Sequence, residues 1–145
     1  MRFLLKIAFI CGLIFISNPS LSQQISVLPI VKSNIKGINV YGKTVDNQTR
    51  CQHWHSELDV IAIKFKCCDK YFPCFSCHEE EADHDSQVWP KAEFTTKAIL
   101  CGVCGYELSI EEYQASGNSC PNCTTAFNPG CSKHYHLYFE TDYNN

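Results

Sequence analysis

The sequence predicts a small α+β domain in which metal sites, and not a large apolar core, hold short strands and short helices together. Eight of the nine cysteines and histidines between residues 51 and 84 are predicted ligands, and four more cysteines follow between residues 101 and 123. Thiolate and imidazole ligands suit Zn²⁺, and four ligands per ion predict about three zinc ions per chain. The predicted metal ligands are Cys51, His53, Cys67, Cys68, Cys74, Cys77, His78, His84, Cys101, Cys104, Cys120 and Cys123.

Residues 1–22 have the pattern of a signal peptide. A basic start with Arg2 and Lys6 precedes an apolar stretch at 7–16, and small serines precede Gln23. The apolar stretch is shorter than the about twenty residues that a membrane-spanning helix needs; an uncleaved N-terminal anchor is the alternative. The sequence therefore predicts an exported protein, periplasmic or secreted, with no membrane span after leader removal.

The charge of the chain argues against nucleic acid as a partner. The formal net charge is −3, and loss of Arg2 and Lys6 with the leader would lower it by two, to −5. Domains that bind nucleic acid carry clustered basic residues, and the finger helix that reads DNA bases is missing from the sequence. We therefore expect an unknown protein partner and no binding to nucleic acid.

Cysteine usage favours metal sites over disulfides. Ten of the eleven cysteines follow the leader, and exported chains rich in cysteine commonly form disulfides. However, histidines interleaved with the cysteines at short offsets serve a metal site and have no role in a disulfide framework. Disulfides within Cys-x-x-Cys pairs are typical of redox catalysts, so a thiol-disulfide oxidoreductase using such a pair is the alternative function.

The segments in the first half predict one clear strand and one short helix. Residues 23–39 contain no metal ligand and are expected to form a linker or an edge strand. Residues 59–65 are rich in β-branched side chains, which predicts a strand. Residues 77–83 are predicted as a short helix that would carry His78 on the same side as His84.

The second half has the order strand, knuckle, helix, knuckle, strand, which is typical of a zinc ribbon-like unit. Residues 97–100 predict a strand before the first knuckle at 101–105. Ser109 and Glu112 have the spacing of a capping box that begins a helix, and Gly117 is suited to end it. Alternation in residues 134–139 predicts a final strand.

The last four ligands have the spacing Cys101-x2-Cys104-x15-Cys120-x2-Cys123, which is standard for a four-cysteine zinc site. Such a site has no open coordination position, so it stabilises a fold and does not catalyse.

The eight earlier ligands would hold two ions, in a cross-braced arrangement in which early ligands meet later ones. Spacing alone does not divide these ligands between the two ions. Because adjacent side chains diverge in extended backbone, Cys67 and Cys68 are expected on different ions.

A zinc deaminase signature is also present but carries little weight. His55-x-Glu57 followed by Pro73-Cys74-x-x-Cys77 fits the pattern, yet that chemistry needs an open coordination position. The neighbouring ligands would close it.

A fourth metal site formed by Cys131, His134 and His136 with His55 is a further alternative. These three ligands lack a second pair of ligands at a typical zinc-site spacing. The simpler interpretation is therefore a packed thiol and histidines on a strand.

Taken in order, the first eight ligands and their neighbours resemble the CHY-type zinc finger. The resemblance rests on Thr49-Arg50-Cys51-x-His53, Cys67-Cys68-Asp69-Lys70, Cys74-x-x-Cys77-His78 and Asp83-His84. It covers most of the chain after the leader and implies a domain at 40–140 with short strands, zinc knuckles and short helices. It also implies three zinc ions held by the twelve residues named above.

Within this family the chain is more similar to short, stand-alone members than to the ubiquitin ligases, which continue into further zinc-binding modules. The short members include a mitochondrial helper of small Tim proteins that is linked to zinc handling. We therefore expect a zinc-binding, non-catalytic protein with three structural zinc ions, acting as an interaction scaffold or in zinc handling. No catalytic residue and no other cofactor-binding residue are predicted.

Overall fold

The computed structural model describes residues 31–142. The leader predicted at 1–22 and the first part of the linker predicted at 23–39 lie outside the described residues. The described residues form one six-stranded sheet with short helices, which confirms the predicted α+β class. The strands are β1 Val31–Ile35, β2 Ile38–Tyr41, β3 Ile61–Lys64, β4 Tyr71–Phe72, β5 Lys97–Cys101 and β6 Glu107–Ser109.

The sheet has the strand order β1-β2-β4-β3-β5-β6. All neighbouring strands are antiparallel except β2 and β4, which are parallel. β1 and β2 form a hairpin whose turn contains Lys36 and Gly37, both with positive φ. The part of the predicted linker that the structure describes therefore lies at one edge of the sheet.

The central strands β3 and β5 separate two layers of buried side chains. Ile61 and Ile63 of β3 pack into the larger cluster, whereas Ala62 between them packs into a smaller cluster on the opposite face. This alternation follows from the two-residue period of a strand. The larger cluster contains several of the predicted cysteine ligands, and Cys67 and Cys68 pack against it, so the apolar core and the metal ligands form one continuous interior.

The two α-helices are short, and both have side-chain caps. α1 spans Phe75–Glu81, and the Cys74 sulfur at its N-cap accepts from the Cys77 backbone N–H. The helix begins and ends two residues earlier than predicted, so His84 lies beyond it. α2 spans Ile110–Ala115 and begins with the predicted capping box: Glu112 N–H donates to Ser109 Oγ at 3.1 Å, and Ser109 N–H donates to Glu112 Oε2 at 2.7 Å.

The predicted final strand at 134–139 is wrong. A 3₁₀ helix occupies Pro129–Leu137, and a shorter one occupies Lys91–Glu93. The Asn128 side chain accepts from the Gly130 N–H, and this cap begins the long 3₁₀ helix. Tyr135 and Tyr138 lie three residues apart and both pack on the core, a spacing that suits a 3₁₀ turn.

The close approach at Gly102 predicts the effect of a substitution. A Cβ atom on Gly102 would lie 2.3 Å from the Gln48 carbonyl oxygen, a backbone atom that cannot rotate away. We expect Gly102→Ala to destabilise the zinc-loaded protein by about 1–3 kcal/mol, as overpacking does. Urea unfolding monitored by circular dichroism measures this change.

The matched control is Gly117→Ala. A Cβ at Gly117 meets nothing within 4 Å, but φ is +63°, so only the backbone cost of about 1–2 kcal/mol for the left-handed region applies. Equal m-values with a lower unfolding midpoint are expected for both variants. An unchanged midpoint for Gly102→Ala would show that the contact with Gln48 is not rigid.

Candidate metal centre

The first ligand group contains Cys51, His53, Cys74 and Cys77, whose ligand atoms lie within 4.8 Å of one another. The Cys51 and Cys74 sulfurs are 3.7 Å apart, and His53 Nδ1 lies 3.5 Å from the sulfurs of both Cys74 and Cys77. Zinc–ligand bonds of about 2.3 Å to sulfur and about 2.0–2.1 Å to nitrogen in a tetrahedron require edges of about 3.8 Å and about 3.6 Å. The observed separations therefore fit one zinc ion.

The second group contains Cys67, Cys68, His78 and His84. The Cys67 sulfur lies 3.2 Å from His78 Nε2. The expectation that Cys67 and Cys68 bind different ions is wrong, because the backbone there is a tight turn and not extended. The Asp69 N–H donates to the Phe65 carbonyl at 2.8 Å, and this turn directs both thiols toward the same histidines.

The third group contains Cys101, Cys104, Cys120 and Cys123, as their spacing predicts. The Cys101–Cys123 and Cys104–Cys120 sulfur pairs are 3.9 and 3.7 Å apart, close to the tetrahedral edge. Each Cys-x-x-Cys turn ends in a residue of positive φ, Gly105 in one and Thr124 in the other.

The turn of the second group has the same construction as the two knuckles of the third group. Gly105 N–H donates to the Cys101 carbonyl and Thr124 N–H to the Cys120 carbonyl, as Asp69 N–H does to Phe65. Asp69 also has positive φ. Phe65 thus occupies the position that Cys101 and Cys120 have in the other two turns. Because Phe65 is not a metal ligand, the sequence shows no Cys-x-x-Cys spacing that would indicate this turn.

The first two groups are interleaved along the chain, as the predicted cross-braced arrangement requires. Cys67 and Cys68 of the second group lie between His53 and Cys74 of the first, and neighbouring residues of α1 belong to different groups. His78 is fully buried and stacks on Phe65 with ring centroids 4.1 Å apart. Each group is able to bind one zinc ion, which confirms the prediction of about three ions per chain.

Each of the three histidines in the ligand groups faces a carboxylate through one ring nitrogen. His53 Nε2 lies 3.2 Å from Glu80, His78 Nδ1 lies 3.3 Å from Glu79, and His84 Nδ1 lies 3.0 Å from Asp83. A carboxylate that accepts the imidazole N–H leaves the other nitrogen for the metal and orients the ring.

Sequence reasoning missed these carboxylates as candidate site residues, because the acidic run at 79–81 resembles an ordinary solvated helix face. Glu79 and Asp83 are each adjacent in sequence to the histidine that they face, a signal that could have identified them, whereas Glu80 faces His53 from 27 residues away.

The ionisation of the thiols also favours a bound cation. Hydrogen bonding with Cys74 and Cys77 lowers the pKa of Cys51, whereas hydrogen bonding with Cys51 raises the pKa of Cys74. Burial raises the pKa of Cys68 to about 11. Several adjacent thiolates are therefore unfavourable without a compensating positive charge, and a divalent cation supplies it.

The remaining candidate ligands do not join a group in residues 31–142. His55 and Glu57 of the deaminase-like pattern are exposed, and the paired cysteines Cys74 and Cys77 belong to the closed first group. Cys131, His134 and His136 form no cluster of ligand atoms in this range either. All ten cysteines described by the structure are free of disulfides.

A small sheet that carries three four-ligand Cys/His groups defines a zinc-organised structural protein. The CHY zinc finger profile matches residues 51–135. The chain belongs to the CHY zinc finger family.

Two relatives carry the name Helper of Tim protein 13. The Saccharomyces cerevisiae protein is 52% identical over 104 residues, covering 70% of this chain and 90% of its own length. The Kluyveromyces lactis protein is 47% identical over 103 residues, covering 71% of this chain and 90% of its own. An uncharacterized protein of Schizosaccharomyces pombe is 45% identical over 102 residues.

These relatives correct the predicted location. Proteins named as helpers of a Tim protein are not exported, so the predictions of a signal peptide and of a secreted or periplasmic protein are wrong. The pattern at residues 1–22 records only charge and hydropathy, which secretory leaders share with other N-terminal segments. Within residues 31–142, no helix is long and apolar enough to cross a membrane.

The contact between Glu80 and His53 predicts a change in metal retention. Glu80 Oε2 also pairs with Lys43 Nζ at 2.9 Å, which holds the carboxylate in place. We expect Glu80→Ala to loosen one of the three zinc ions by about 10–100-fold, the usual cost of losing such a partner. Competition with a chromophoric chelator measures the change.

Glu81→Ala is the matched control, because it removes the same charge from the same helical turn. The Glu81 side chain makes no hydrogen bond or ion pair in the part of the chain that the structure describes. Equal zinc affinities in the Glu80→Ala and Glu81→Ala variants would contradict a positioning role for Glu80.

Proposed function

We propose that this protein is a non-catalytic zinc-binding scaffold that presents a folded surface to a protein partner. One observation carries the proposal: the twelve proposed ligands form three closed groups of four. A closed tetrahedral site has no position for substrate or water, so it supports structure and not hydrolysis.

We further propose that the partner is a small Tim protein. The support is the name of the two relatives, Helper of Tim protein 13, together with identities of 52% and 47% over 90% of their length. The acidic net charge and the absence of a basic cluster favour a protein over a nucleic acid.

A binding measurement tests this partner. Calorimetric titration of purified Tim protein 13 into the zinc-loaded protein is expected to give saturable binding, and titration into the metal-stripped protein is expected to give none. Absence of binding to the zinc-loaded form would overturn the proposed partner.

Zinc handling is a second candidate function, favoured by the exposure of the second group. Its His84 is exposed and both of its cysteines are half-buried, whereas all three cysteines of the first group are buried. Two thiolates only balance the charge of Zn²⁺, while four thiolates exceed it by two. The second group therefore provides the weakest electrostatic hold and the easiest access for a competing ligand.

The alternative of a thiol-disulfide oxidoreductase is not supported. Every Cys-x-x-Cys pair belongs to a four-ligand group, and a thiolate bound to zinc is not free to attack a disulfide. The remaining described cysteine, Cys131, is half-buried, and burial raises the pKa of its thiol.

Partial metal removal tests which zinc is exchangeable. With limiting chelator and a cysteine-alkylating reagent, we expect Cys67 and Cys68 to be modified first, with loss of one zinc ion per chain. Native mass spectrometry counts the metal, and peptide mapping locates the modified thiols. Earlier modification of Cys101 or Cys51 would exclude the second group as the exchangeable site.

A further inference from the structure

A cavity of about 280 Å³ lies beside the first ligand group. Its walls include Ile61 and Ile63 of β3, Pro73, Trp54 and Tyr138. The volume lies just below the range of about 300–1,000 Å³ that is typical of small-molecule pockets. Apolar walls and this size suit one bulky side chain better than a cofactor. We call this the Trp54 cavity.

Trp54 is unusually exposed for a residue of its type. Its side chain is 48% exposed, whereas Trp89, the other tryptophan, is 7% exposed and donates its Nε1–H to the Lys64 carbonyl. Leu58, 38% exposed, lies next to the cavity, because its carbonyl accepts from the N–H of Asn128, a lining residue. Exposed aromatic and aliphatic residues around a concave site mark surfaces that bind proteins.

The first ligand group holds in place the part of the cavity wall that Trp54 forms. The Trp54 backbone N–H donates to the Cys51 sulfur at 3.4 Å, and Cys74 contributes to the cavity lining. The cavity therefore requires the zinc-loaded first group and is expected to be lost with its metal.

One carboxylate, that of Asp59, and one ammonium, that of Lys133, line the cavity. The Asp59 carboxylate is already engaged, because it accepts from the Ser56 N–H at 2.7 Å and from the Asn128 side chain at 2.8 Å. Lys133 forms no ion pair with any residue between 31 and 142. His134 adds an imidazole 5.7 Å from the Trp54 ring. The Lys133 ammonium is therefore available to pair with a carboxylate of a bound polypeptide.

We propose that the Trp54 cavity binds one bulky apolar side chain of a partner polypeptide, with an acidic neighbour of that residue paired to Lys133. The proposal rests on the function proposed above, because it supplies the contact site for the protein partner. The Trp54 ring covers the inserted side chain, and Lys133 selects the charge that flanks it.

Short capped peptides test the site on the zinc-loaded protein. The panel carries Leu, Phe, Met or Ile at the centre and Asp or Glu on both sides, with Ala at the centre or Lys at the flanks as comparison peptides. Calorimetry detects binding, and tryptophan fluorescence reports on the exposed Trp54. We expect at least one acidic peptide to bind at least about tenfold more tightly than its Ala-centred counterpart.

Matched variants test the residues of the site. Trp54→Ala is expected to abolish binding of the acidic peptides, whereas Val88→Ala, which removes another exposed apolar side chain, should leave it unchanged. Lys133→Glu should weaken the acidic peptides and strengthen the Lys-flanked ones. Lys36→Glu, at the exposed turn between β1 and β2, controls for net charge. Circular dichroism and zinc content verify that each variant is folded.

The outcomes separate this site from the proposed function. Failure of every peptide to bind at about millimolar concentration would overturn the Trp54 cavity as a docking site. Binding of Tim protein 13 that is unaffected by Trp54→Ala would overturn it as well while leaving the scaffold function intact. Peptide binding without binding of Tim protein 13 would retain the cavity and remove that partner.

Discussion

The structure depends on two tetrahedral ligand groups that share one stretch of chain. Cys77 and His78 are neighbours in α1 but belong to different groups, so the helix is held from both sides by metal sites. A structural zinc contributes about 10–16 kcal/mol of apparent folding free energy, and a whole domain is stable by about 5–15 kcal/mol. Loss of metal from this region is therefore comparable to the entire stability of the fold.

The sheet and the metal groups support each other. β3 leads into the turn that carries Cys67 and Cys68, and β5 ends at Cys101, so both central strands deliver ligands at their ends. The contact of Gly102 with Gln48 links the third group to the segment that precedes Cys51. The core positions the ligands, and the ligands close loops that so small a core does not hold alone.

Patterns among residues close in sequence correctly predicted the features that depend on interactions between neighbouring residues. The four-cysteine site, the capping box at Ser109 and the position of β5 all follow from residues close in sequence. The grouping of Cys67 with Cys68 was not predictable in this way, because it depends on the tight turn that begins at Phe65. The 3₁₀ helix at Pro129–Leu137, found in place of the expected strand, was also not predictable from neighbouring residues, because it accompanies the packing of Tyr135 and Tyr138 on the core. The contact of Glu80 with His53, 27 residues away, was apparent only from the three-dimensional structure.

Metal content combined with far-ultraviolet circular dichroism during complete zinc removal tests whether zinc holds the fold together. We expect about three zinc ions in the folded protein, loss of the folded spectrum when a strong chelator removes them, and recovery when zinc is restored under reducing conditions. A folded spectrum that persists in the fully metal-free, reduced protein would show that the fold does not depend on zinc.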